Sequence, residues 1–154
     1  MAEGEDMVSG TTVRTERRWD LAHAASAVPA AREELTGLLR SLGVPEGTVV
    51  ESELAASELL GNAVMHGRPD SRGVISLRVR VRDHVVEVAV TDGGPLDGQV
   101  VDIRPRRTSV VATRGRGLRI VRSLAHEWGV IVDDAGGDTT VWAAIGGPSR
   151  RRAV

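Results

Sequence analysis

The chain has 154 residues, 41% hydrophobic and 27% charged, the make-up of one ordinary globular domain around one core. A formal net charge of −1 supplies no overall field for nucleic acid or a membrane surface, and no apolar run is long enough for a transmembrane helix. Cysteine is absent and all 20 basic residues are Arg, which excludes disulfides, thiolate chemistry, a Walker A loop, the strand lysine of ordinary protein kinases and Schiff-base catalysis.

Residues 1–10 are acidic, small and polar, and read as a disordered tail. They lack the apolar stretch of a signal peptide, so a cytoplasmic protein is expected. Val13 to Leu21 reads as a first strand. Pro29 suits the first turn of a helix running through Leu42, broken by Gly43 and Pro45. A second helix is predicted over Glu46 to Met65, ended by Gly67 and Pro69. From Val74 the apolar residues Ile75, Leu77, Val79 and Val81 alternate with Ser76, Arg78, Arg80 and Arg82, which marks a half-buried strand. Arg82-Asp83-His84 turns into a partner strand from Val85 to Thr91. Pro95 to Thr113 has no period and reads as a long loop. Arg116 to Glu127 reads as a short amphipathic helix. Trp128–Asp133 and Thr139–Ile145 form a closing hairpin, and Arg150–Arg152 belong to a solvated basic tail, residues 148–154. The fold class is α+β: one domain over residues 11–147, a two-layer sandwich of an antiparallel or mixed sheet with its helices on one face.

Three short motifs stand out. On the second helix, Glu58, Asn62 and His66 recur every four residues and share one side, extended backwards by Glu51. Such a polar stripe is by default the face that meets water. If it lines a cleft instead, the carboxylate can take a proton from a nucleophile and the amide oxygen can ligate Mg²⁺. His66, at the helix end, is equally placed to cap it. Asp92 leaves its strand on the face of Val86, Val88 and Val90, where an acid is costly unless paired or exposed. Gly93-Gly94-Pro95 then turns the chain and leaves room for a flat ligand against the backbone, although Asp-Gly turns are common. Finally, Gly115-Arg116-Gly117-Leu118 opens the third helix. Exposed N–H groups and the helix dipole suit a phosphate there, and Arg114, Arg116 and Arg119 add charge. The strict G-x-G-x-x-G pattern and its preceding strand are missing, so a dinucleotide fold does not follow.

Together these residues resemble the GHKL ATPase superfamily, with the Bergerat-type nucleotide site shared by gyrase, mismatch-repair ATPases and histidine kinases. The resemblance runs from about Val13 to Ile145. It is strongest to the small anti-sigma-factor serine kinases and related actinobacterial ATP-binding regulators. Its specific marker is Glu58-x-x-x-Asn62-Ala63-x-x-His66-Gly67, similar to their N-box, and Gly137-Asp-Thr139-Thr140-Val141-Trp142 looks like their terminal strand.

The resemblance implies a role for each matching residue. Glu58 is the general base, Asn62 holds Mg²⁺ on the phosphates, and His66 lies beside the bound nucleotide. Asp92 accepts a hydrogen bond from the adenine amino group, and Gly94 lets the purine lie close. Arg114, Gly115, Arg116, Gly117 and Leu118 meet the phosphates, and residues 95–114 form a lid. Thr140 supplies a hydroxyl near the base or phosphates. ATP and Mg²⁺ are the implied cofactors, and a sigma factor and a STAS-type protein the implied partners. Family members are often dimers. Two departures are visible: Leu96 replaces a second glycine after Asp92, and the lid has no Lys. Two classes of function stay open: a serine/threonine kinase acting on a STAS partner, and a non-catalytic nucleotide-dependent interaction protein. A detached histidine-kinase domain is disfavoured because Pro29 interrupts any long helix after His23. A DNA-binding reading has only the Arg78, Arg80 and Arg82 alternation behind it, which a solvent-facing strand explains.

Overall fold

A computed structural model of the chain describes residues 15–96, 117–133, 135 and 137–147. Five strands, β1 (Thr15–Ala22), β2 (Val74–Arg82), β3 (Val85–Asp92), β4 (Glu127–Val132) and β5 (Thr139–Gly146), form one sheet in the order β1-β2-β3-β5-β4. Every neighbouring pair is antiparallel. Three helices, α1 (Val28–Ser41), α2 (Glu46–His66) and α3 (Gly117–Leu124), complete the α+β layout, with a short 3₁₀ turn at Ala25–Ala27 before α1. The expected disordered and basic tails, the 95–114 lid beyond Leu96, and Arg114, Gly115 and Arg116 lie outside the described residues.

The alternation of β2 and β3 does what its period requires. Ile75, Leu77, Val79 and Val81 from β2, with Val86, Val88 and Val90 from β3, are buried on the helix side. They meet Leu35 and Leu39 of α1 and Val49, Ala56, Leu59, Leu60 and Ala63 of α2 in one core. The opposite face of β1–β3 is charged: Arg80 pairs with Glu16 and approaches Glu87, which also faces Arg78. The arginine alternation is thus one side of an ion-pair ladder on an open sheet face.

The helix ends follow the sequence breaks. Pro29 lies in the first turn of α1. Gly43 and Val44 donate back to the Arg40 and Leu39 carbonyls, 3.0 and 3.1 Å away, the pairing that closes a helix on a glycine. One boundary differs. The last helix stops at Leu124, not Glu127. His126 donates to the Ala144 carbonyl and Glu127 pairs with Ala144, so the edge strand takes the residues that the helical period claimed.

Candidate functional site

The end of α2 and the exit of β3 are zipped together. Arg68 donates its N–H to the Gly94 carbonyl at 2.8 Å, Gly93 to the Arg68 carbonyl at 2.6 Å, and Leu96 to the His66 carbonyl at 3.0 Å. Asp92 sits at the centre. Its Oδ1 accepts the Gly94 N–H at 2.8 Å. Its Oδ2 lies against Gly67, where a Cβ would come within 2.2 Å of it. Gly94 is equally constrained: its φ is +95°, and a Cβ would lie 2.9 Å from the Gly137 carbonyl oxygen. The result is a carboxyl with bare backbone on both flanks.

Burial dominates the electrostatics of Asp92 and pushes its carboxyl up to about 6. The Gly94 N–H, His23 and the Arg68 guanidinium act in the opposite direction, while Asp138 adds to the rise. This acid is poised close to neutrality and pays a desolvation cost that no ion pair removes.

Glu58 and Asn62 are half-buried on α2. Val50, Leu54 and Met65 of α2 are 52%, 41% and 70% exposed, and Glu51 and His66 at the two ends of the polar stripe are exposed as well. The polar stripe is thus exposed at its ends and half-buried at Glu58 and Asn62. It runs along the flank between that apolar ridge and the buried line of Ala55, Leu59 and Ala63. His66 is exposed and ends the helix, and its carbonyl holds Leu96. Among the described residues no three His, Asp or Glu side chains gather as a metal site.

Three of the expected residues need restating. Gly117 is the first residue of α3, and α3 packs against α2. Leu118 turns its side chain into the core, so only its backbone is left for a ligand. Thr140 lies on the other face of the sheet from Asp92. It pairs with Thr91 on the sheet face away from the helices, and the two hydroxyls hydrogen-bond at 2.7 Å. Thr139 pairs with Asp92 on the helix side, and its Oγ1 lies 3.9 Å from where a Gly94 Cβ would stand. Strand alternation carried the signal: Thr139 shares its face with Val141, Ala143 and Ile145, and the last two are buried. Two more residues at the site carry no sequence motif. They are His23, whose Nε2 lies 3.0 Å from the Ala63 carbonyl and 2.9 Å from that of Gly67, and Arg68, beside Gly94.

Residues 21–145 match the family model for the histidine kinase-like ATPase domain. The chain belongs to that family. Membership implies ATP binding, and the N-box helix, the Asp92 strand end and the terminal strand all fall inside the matched span. The fold is similar to a crystal structure of the RsbU and RsbW domains of Rv1364c from Mycobacterium tuberculosis, with a TM-score of 0.63 and 20% identity. That likeness covers 88% of this chain and 34% of the other, so the chain spans about a third of that structure's length. At this identity the likeness speaks for the ATPase-family fold. No match is found among curated proteins.

Proposed function

We propose that this ATPase-family chain is an ATP-dependent anti-sigma regulator that phosphorylates a hydroxyl on a STAS-type partner. The observation that carries the nucleotide part is the Asp92 carboxyl, half-buried between Gly67 and Gly94 where no Cβ intrudes. A flat base can reach such a carboxyl, and Oδ2 is left to accept from an exocyclic amino group. The N-box resemblance and the likeness to an RsbW domain support the partner class.

The residues present fit Mg-ATP. Asp92 orients the base, and Gly67 is bare because Asp92 Oδ2 occupies the place of its Cβ, which lets the carboxyl sit at the end of α2. Asn62 would hold Mg²⁺ through its amide oxygen. The bound ion supplies neutralisation of the phosphate charge. Gly117, at the start of α3, offers a backbone N–H toward phosphate. Glu58, four residues before Asn62, takes the proton of the acceptor hydroxyl as its oxygen bonds to the γ-phosphorus. The bond from that phosphorus to the β–γ bridging oxygen breaks, and ADP leaves. A second reading, a binding switch without efficient transfer, draws on Leu96, 57% exposed where the related kinases often carry a glycine.

One variant separates the two. Glu58→Gln keeps size and hydrogen bonding and removes the base. A kinase should keep Mg-ATP affinity and lose about 10²–10⁴-fold in the rate of labelled phosphate transfer to a STAS protein. If the unaltered chain transfers no phosphate to any STAS partner while both forms bind a sigma factor equally, the binding-switch reading stands.

A further inference from the structure

We infer that His23 is a positioning residue for base recognition: its ring pins the end of α2 so that Gly67 and the Asp92 carboxyl are held at the adenine amino group. The inference rests on the nucleotide reading above and adds a residue from β1's end, far in sequence from every motif.

The geometry is a short relay. Both partners of His23 Nε2, the Ala63 and Gly67 carbonyl oxygens at 3.0 and 2.9 Å, can only accept, so Nε2 carries the proton and donates to both. The Ala63 carbonyl also receives the Gly67 N–H at 3.1 Å, whereas among the described residues His23 is the one donor to the Gly67 carbonyl. Gly67 closes α2 in an extended conformation, with φ −96° and ψ 163°: its N–H makes the last ladder bond, while its carbonyl lies beyond the ladder. The other flank of Gly67 is the Asp92 carboxylate, close enough that a Cβ would overlap Oδ2. His23 therefore fixes one side of a glycine whose other side sets the carboxyl. The strap of Arg68, Gly93 and Gly94 ties the same segment to β3, so a shift at Gly67 moves the turn after Asp92 as well.

A pin of this kind acts on the base and not on the phosphates. The test compares Mg-ATP with Mg-ITP, whose purine carries a carbonyl in place of the amino group that Asp92 would read. Isothermal titration of the full chain should show a clear preference for ATP. In His23→Ala, ATP affinity should fall about tenfold or more, the scale of one hydrogen bond to a charged group, while ITP affinity changes less than about twofold. His23→Gln, whose amide N–H groups reach the same carbonyls without a ring, should restore most of the preference. Equal losses for both nucleotides, an unchanged preference, or failure of His23→Gln to rescue would overturn the inference.

Should His23→Ala not fold, the unaltered chain gives the answer by NMR. The His23 Nε2 proton should exchange slowly and shift more with Mg-ATP than with Mg-ITP. A fast-exchanging proton, or equal shifts, overturns the inference. Asp92→Ala is run in parallel. If it binds both nucleotides as the unaltered chain does, the nucleotide reading of Asp92 fails. If Asp92→Ala loses the preference while His23→Ala keeps it, only the inference about His23 fails.

Discussion

Asp92 pays for its position in stability. Its carboxyl stands at about 6 against an ordinary 3.8, so its ionised form at pH 7 costs roughly 3 kcal/mol. Because the folded value lies above the unfolded one, the group's contribution is fully present below about pH 4. It is lost as pH rises through about 6. Asp92→Asn keeps an acceptor for the Gly94 N–H and removes the charge. The variant should be more stable at pH 7 by up to about 3 kcal/mol in urea unfolding. That gain should shrink to nothing below about pH 4. The same change should abolish Mg-ATP binding in titration calorimetry. A costly acid whose removal stabilises the fold is what a binding site, and not a structural one, leaves behind. Asp92 was legible as a candidate because an acid on an apolar strand face is conspicuous. His23 was not: nothing in Leu21-Ala22-His23-Ala24 says that the ring will meet carbonyls 40 and 44 residues away.

At the scale of elements, strand register decides which hydroxyl shares a sheet face with Asp92. Thr139 and Thr140 are neighbours, and alternation sends them to opposite faces of β5. Thr139→Ala should lower Mg-ATP affinity by about two- to tenfold, the worth of one neutral hydrogen bond, and Thr140→Ala should leave it within twofold. Calorimetric titration of both variants checks the assignment, and a larger loss at Thr140 would mean that the nucleotide reaches the open sheet face. The α2 helix teaches a related lesson. Its length and ends were readable from Pro45, Gly67 and Pro69, and the structure gives Glu46–His66. The position of its polar stripe was not, because a helix buried against two other helices and a sheet has no simple wet side. Val50, Leu54 and Met65 form an exposed apolar ridge, and Glu58 and Asn62 are half-buried beside it.

For the molecule as a whole, nucleotide binding and folding are one linked equilibrium. Mg-ATP at a hundred times its Kd should stabilise the chain by about 2.7 kcal/mol, read as a rise in Tm. That rise should diminish as pH falls below about 6, since a protonated Asp92 is a neutral, weaker acceptor for the adenine amino group and can turn an O–H toward it. A Tm shift of equal size at pH 5 and pH 7.5 would show that the base is read elsewhere. No helix among the described residues is long and apolar enough to cross a membrane.

The sequence by itself determined the α+β class, six of the eight helices and strands to within a residue or so, and the three motifs, because period, turn residues and glycines act over a few positions. Its misplaced boundary, the junction of α3 with β4, lies where local preference met competition from strand pairing, and the expected start of β1 at Val13 lies outside the described residues. Only the tertiary structure decided which groups share a site. It brought Asp92 against Gly67, put Thr139 there instead of Thr140, and carried His23 to the end of α2. Those placements depend on strand register and on contacts between residues 40 or more positions apart, and no local pattern encodes them.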